Sequence, residues 1–276
     1  MKIKILLMGV FLLLVMYSIL SLGYKDVTFN ENRLLINQYG GHYIGHHGMH
    51  ELYTHLYAAT VLFIVSIASI IVLYEKFKGS KYTWNPVMVG VFFTGLIGLG
   101  ESFEHLFSVF GHEFFHYIHM IGGLLAMYFL YLSTKEYSMQ FREGGKPISV
   151  IKIFGVIITS FIITLILASQ AKTDWDVVIE QPFIYLTTIP TLILAGLTLK
   201  EAYEQRKIHM MLMGYLSMLA ISVTMLELFI LFGRIADIIN NAYLYIVMHA
   251  FQDFMLSATS MLIISFTVTM NIMIKK

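Results

Sequence analysis

The sequence predicts an all-α, polytopic transmembrane helix bundle of about eight spans. Three observations carry that prediction. Only 13% of the 276 residues are charged and 58% are hydrophobic, whereas a soluble domain carries about 25% charged residues. Apolar runs recur along the whole chain at the length, roughly 20 residues, that a helix needs to cross a ~30 Å hydrocarbon layer. Finally, the Lys and Arg residues fall almost entirely on one side of the resulting topology, as positive-inside bias requires.

In chain order the runs are 5–23, 55–74, 87–107, 113–133, 150–169, 183–199, 210–232 and 243–273. Backbone polar groups inside a bilayer must be paired within the segment, and the runs lack the alternation of a barrel strand, so each is a helix. The first run has a second reading. Met1 to Lys4 forms a basic start and Ser21-Leu22-Gly23 a cleavage-type site, so it fits a signal peptide, which leaves seven spans with unchanged directions. Residues 87–133 are too long for one crossing, and the polar Ser108 to Glu113 region divides them into a helical hairpin. Pro190 is expected to kink the sixth span.

With both termini cytoplasmic, the inside segments are 1–4, 75–86, 134–149, 200–209 and 274–276. Together with Lys152 they hold all of the 18 Lys and Arg except Lys25, Arg33, Lys172 and Arg234. The chain reads as one integral membrane domain, 1–276. Residues 24–54 form its longest hydrophilic stretch, an extracytoplasmic segment that contains histidines.

Several function classes are excluded at this point. A net charge of +1 gives no polyanion signal and no nucleic-acid module is visible. Cysteine is absent, which removes disulfides, thiolate ligands and cysteine nucleophiles together. A bound metal must therefore use nitrogen, oxygen or methionine sulfur.

Histidine placement gives the functional signal. Of the 11 histidines, only His209 is cytoplasmic on this topology. His42, His46, His47, His50 and His55 lie in the external segment and the start of the second span, where the glycine-hinged GGHYIGHHGMH reads as a metal-capturing loop. His105, His112, His116 and His119 flank the hairpin, and His249 lies two turns into the last span. Glu101, Glu104, Glu113, Glu227 and Asp253 occupy the same outer zone. A charged group at that depth costs at least ~2.5 kcal/mol, so such residues face the bundle interior and pair with one another, a metal or a pathway. Glu101 and His105, His112 and His116, and His249 and Asp253 are each spaced i,i+4, which stacks them on one helix face.

These residues predict a metal centre in the extracytoplasmic leaflet. The first-choice ligands are Glu101, Glu104, His105, His112, His116, His119 and His249, with His42, His46, His47, His50 and His55 as a secondary capture set and Glu227 in support. Glu113 and Asp253 are the candidate proton-transfer groups. Imidazole and carboxylate without thiolate suit copper or iron, with zinc next, and the expected activity is a metal-dependent membrane oxidoreductase acting on a quinol, a lipid or another small apolar substrate. Three alternatives stand beside it. His112-Glu113-Phe114-Phe115-His116 matches HExxH, the zinc-binding helix of metalloproteases in which the glutamate activates water, and implies a membrane hydrolase or protease. The capture loop equally suits a metal-ion transporter or delivery protein. Haem held by histidines from two spans would make an electron carrier.

Overall fold

The computed structural model describes residues 49–77, 84–106, 112–141, 162, 175–205, 210–238 and 242–273. Among them the chain is all helical, with α1 at Met49–Phe77, α2 at Trp84–Leu106, α3 at His112–Phe141, α4 at Trp175–Gln205, α5 at Met210–Ile238 and α6 at Ala242–Met273. Each helix coincides with one expected span, that at 87–107 running one residue past α2; the expected span at 5–23 lies outside the described residues, as does that at 150–169 apart from residue 162. Four helices are long and apolar enough to cross a membrane, over His55–Tyr74, Pro86–Phe103, Met211–Gly233 and Val247–Ile272.

Proline marks two places in this architecture. Pro86 sits in the first turn of α2, where a missing N–H interrupts nothing. Pro190 lies within α4, which runs unbroken from Trp175 to Gln205. Beside it, the Thr191 hydroxyl donates to the Thr187 carbonyl at 2.8 Å, while the carbonyl that Pro190 leaves without its helical N–H is that of Leu186.

The helices close into a ring. α1 packs on α2 and α6, α2 on α3, α3 on α5, and α5 on α6, while α4 lies outside against α3 and α5. Leu62, Ile97, Met127, Leu130, Leu226 and Leu256 are fully buried between them. The outer surface is also apolar, with Ile64, Ile71, Met218 and Ile272 each about half exposed, as expected of a bundle whose surroundings are hydrocarbon. Buried hydroxyls turn back onto their own helices. Thr94 donates to Gly90, Ser102 to Gly98 and Thr198 to Leu194, because no water is at hand to satisfy them.

Contacts between two helix pairs fix relative direction. Lys135 of α3 and Glu201 of α4 form an ion pair at 2.9 Å, so the C-terminal parts of these helices lie at the same end. On α5 and α6, Ser222 bonds Thr259, and Tyr215 bonds Ser265 and Thr269 at 2.9 Å. Numbers that rise on one helix as they fall on the other define an antiparallel register, and its continuation sets Glu227 level with Asp253.

Gly98 controls the crossing of α1 and α2. A Cβ there would stand 2.3 Å from the Ala59 carbonyl oxygen and 3.0 Å from Leu62 Cβ, so only glycine permits the approach. Ala59 is one turn from His55, and Gly98 is three residues from Glu101. The close crossing is what brings those two side chains within reach.

Candidate metal centre

Each helix of the ring supplies one or more polar side chains to a shared interior point. His55 comes from α1, Glu101 from α2, His119 from α3, Glu227 from α5, and Gln252 and Asp253 from α6. All are between 0% and 6% exposed. Burial of ionisable groups on this scale costs several kcal/mol per ion unless they compensate one another, so their pairing decides what the site is.

His55 is the junction. Its Nδ1 is hydrogen-bonded to Asp253, and its Nε2 lies 2.9 Å from Glu101 Oε2. Ionised carboxylates only accept, so the ring donates from both nitrogens in this arrangement. Glu101 has further partners, since Gln252 Nε2 donates to its Oε1 at 2.6 Å and His119 Nδ1 stands 3.3 Å from the same oxygen.

Glu227 completes the set from the opposite side. Gly123, in the middle of α3, makes room for it, because a Cβ at that position would lie 1.7 Å from Glu227 Oε1 and 2.5 Å from Cδ. His119 and Glu101 both act on it electrostatically. Neither of its oxygens has a hydrogen-bond partner among the described residues.

Charge balance follows directly. Three carboxylates face two imidazoles; Lys135 and Lys200 lie near the far ends of α3 and α4, and the side chains of Lys76 on α1 and Arg234 on α5 are outside the described set. With all three carboxylates ionised and both rings protonated, these five groups would carry one excess negative charge, which a buried carboxylate can also remove by taking up a proton. As the side chains stand, no group of three His, Asp or Glu among the described residues is arranged to hold a metal ion. The 2.9 Å His55–Glu101 separation is that of an ordinary hydrogen bond, and the 3.3 Å approach of His119 is to the other oxygen of the same carboxylate.

The structure thus brings together Glu101, His119, Asp253, Glu227 and His55 from the sequence-predicted set. Sequence reading groups His55 with the external capture segment. Because α1 begins at Met49, His55 instead lies six residues into a helix, ~9 Å along its axis. His249 is half-buried beside Gly233 of α5, one turn before Asp253, and Asp253 bonds His55. Glu104, His105, His112, Glu113 and His116 lie on α2 and α3 at the hairpin end, and His50 is in the first turn of α1; the side chains of all six are outside the described set. His42, His46 and His47 lie outside the described residues altogether.

Two residues escape sequence reasoning. Gln252 is uncharged and draws no attention in a search for ligands, although its place next to Asp253 is the available signal. Gly123 is visible only as half of the Gly122-Gly123 pair in an apolar helix, a pattern that more often marks helix packing. The chain matches no protein-family model, no curated protein and no solved structure.

Proposed function

We propose that the chain is an integral membrane metalloprotein of eight spans, with both termini cytoplasmic and a buried imidazole–carboxylate centre in the extracytoplasmic leaflet. One observation carries this reading: five helices of a closed ring each deliver a buried ionisable side chain to one place, and the acids outnumber the bases. A divalent transition ion compensates that excess. His55 would have to give up its Nε2 proton to act as a ligand, as metal binding to imidazole requires. The Lys and Arg distribution supports the sidedness, because the cluster lies at the end of the helices away from Lys135, Lys200 and the other inside cations.

In this reading His55, Glu101, His119 and Glu227 hold the ion, and Asp253 accepts from His55 Nδ1. That is the carboxylate–histidine pairing that fixes ring orientation and raises ligand basicity at metal sites. Glu104, His105, His112, His116 and His249 are reserve ligands at the same end of the bundle, and Glu113 is a proton-transfer group. Mixed imidazole and carboxylate donors without thiolate suit iron or copper ahead of zinc, and the ion would supply redox chemistry toward a quinol, lipid or other apolar substrate reaching the centre from the bilayer.

The test is direct. Protein purified without chelator is expected to carry about one transition metal per chain, by elemental analysis with an optical and paramagnetic-resonance spectrum. His55→Ala and Glu101→Ala are expected to abolish it, with His209→Ala as the silent control. Wild-type protein that carries no metal and takes none up refutes the proposal.

A further inference from the structure

The bond between His55 and Asp253 stands at the head of two parallel helix faces. α2 runs against both α1 and α3, since its Gly98 and Gly95 face Ala59 and Ser66 while its Ile97 and Gly90 face Gly122 and Leu130. α5 runs against α3 as it does against α6, because Gly123 of α3 lies beside Glu227 of α5, and Lys135 of α3 beside Glu201 at the end of α4 that leads into α5. α1 and α6, which pack on one another, therefore descend from the centre in the same direction.

Both carry hydroxyls on the face that begins at this bond, at the helical spacings that keep side chains in line. On α6, Ser257, Ser260 and Thr267 follow Asp253 at ~6, ~10 and ~21 Å; on α1, Ser66 and Ser69 follow His55 at ~16 and ~21 Å, from the rise per residue. All five are 0–1% exposed. Ser69 and Thr267 lie close to Tyr74 and Ile272, where the apolar stretches of the two helices end.

Bonding sets three of them apart from the other hydroxyls of the bundle. Those between α5 and α6 pair with one another, Ser222 with Thr259 and Tyr215 with Ser265, and Ser260 and Thr267 donate to carbonyls of their own helix. Ser66, Ser69 and Ser257 do neither and have no hydrogen-bond partner among the described residues. Buried hydroxyls that protein groups leave unmet are met by ordered water. Gly95 keeps Ser66 approachable, since a Cβ there would stand 3.1 Å from its Oγ. α3 shows the alternative at the same depth: between His119 and Tyr131 its buried positions carry no hydroxyl.

We propose that the α1–α6 face is an internal water-binding track that connects the buried centre to the opposite end of the bundle. Ser257, Ser66 and Ser69 hold the waters, and the hydroxyl oxygens of Ser260 and Thr267, which can accept while they donate, bridge the intervals. Water, and protons passed along it, thereby reach the centre from the end that carries Lys135 and Glu201. The inference goes beyond the metal reading and is independent of it, because it concerns the path and not the occupant of the centre.

The chain has no cysteine, so a single thiol reports its own surroundings without background. Ser257→Cys, Ser66→Cys and Ser69→Cys exchange oxygen for sulfur on the track, and Ala126→Cys sets a thiol on α3, off the track at the depth of Ser260. Full-length protein in lipid vesicles is transferred into D2O, and conversion of S–H to S–D is followed by its infrared stretching band. The track thiols are expected to exchange at least about 100-fold faster than Ala126→Cys, which must wait for local opening of the bundle. Exchange no faster than that of Ala126→Cys overturns the inference.

A second substitution tests the direction of entry. Ser260→Val lies between Ser257 and Ser66, removes the bridging oxygen and fills its place. It is expected to slow exchange of Ser257→Cys about 10-fold, the scale of one lost hydrogen bond, and to leave Ser66→Cys at its own rate. An unchanged rate for Ser257→Cys overturns entry from the opposite end, and equal slowing of both thiols overturns the order of sites along the track.

Discussion

Substitution of Gly123 by alanine probes the centre without touching a polar atom. The added Cβ would stand 1.7 Å from Glu227 Oε1, and ordinary contact begins at 3.4 Å, so the carboxylate must retreat by 3.4 − 1.7 = 1.7 Å. The obstruction is the end of a rotatable side chain, but Glu227 is fully buried and has little room to turn. Overpacking of that kind costs about 1–3 kcal/mol, which corresponds to a factor of roughly 5 to 150 in the folding equilibrium. Unfolding of the purified protein by increasing SDS reads the cost, and elemental analysis reads the metal. Gly123→Ala is expected to lose both stability and metal, whereas Gly123→Ala combined with Glu227→Ala is expected to recover stability without metal. Unchanged stability and metal in the single variant would refute the claim that Glu227 fills the notch above Gly123. Equal instability of the single and double variants would place the clash elsewhere.

Other substitutions separate the parts of the structure. Gly98→Ala sets a Cβ 2.3 Å from the backbone oxygen of Ala59, which no side-chain rotation relieves, so α1 and α2 must part by about 1 Å; the His55–Glu101 contact opens, and the SDS midpoint is expected to fall further than for Gly123→Ala. Gly196→Ala and Gly214→Ala meet nothing within 4 Å, and both are expected to be neutral or to stabilise by up to about 1 kcal/mol through helix propensity. His55→Ala leaves Glu101 and Asp253 without their shared base and is expected to cost ~3–5 kcal/mol, as loss of one member of a buried charge pair does; a loss below 1 kcal/mol in the same SDS titration would show that His55 does not join them. Thr259→Val, in contrast, removes one interhelical hydroxyl contact, and the expected loss is only about 0.6 kcal/mol.

The helical architecture was legible because the bilayer imposes a length on every apolar run, and each of the six described helices coincides with a run visible in the sequence. The common depth of Glu101, His119, Glu227 and Asp253 was legible for the same reason: position within a span converts to height by a constant rise per residue. Lateral arrangement was not. Periodicity within one helix says nothing of which helix lies opposite: the i,i+4 spacing sets His249 and Asp253 on one face, but carries no signal of the hydrogen bond between Asp253 and His55, 198 residues away. His55 was read at the start of its span, where the apolar stretch His55–Tyr74 begins, but grouped with the external capture set, because nothing along the chain says which helices face it. Gln252 and Gly123 were invisible for a different reason. One acts by donating to a carboxylate and the other by having no side chain, and neither property is expressed as charge.

The bond between His55 and Asp253 also orders events in biogenesis. Its donor lies on the first described helix of the ring and its acceptor on the last, and synthesis proceeds from the N-terminus. Until α6 enters the membrane, His55 and Glu101 have neither Asp253 nor Gln252, and α1 has one ring neighbour rather than two. The interior is therefore completed in a single late step, and a chain truncated before Gln252 would keep its apolar helices and lose the whole clasp. Without α6, the buried His55 and Glu101 would lack the Asp253 and Gln252 bonds that join them to the last described helix.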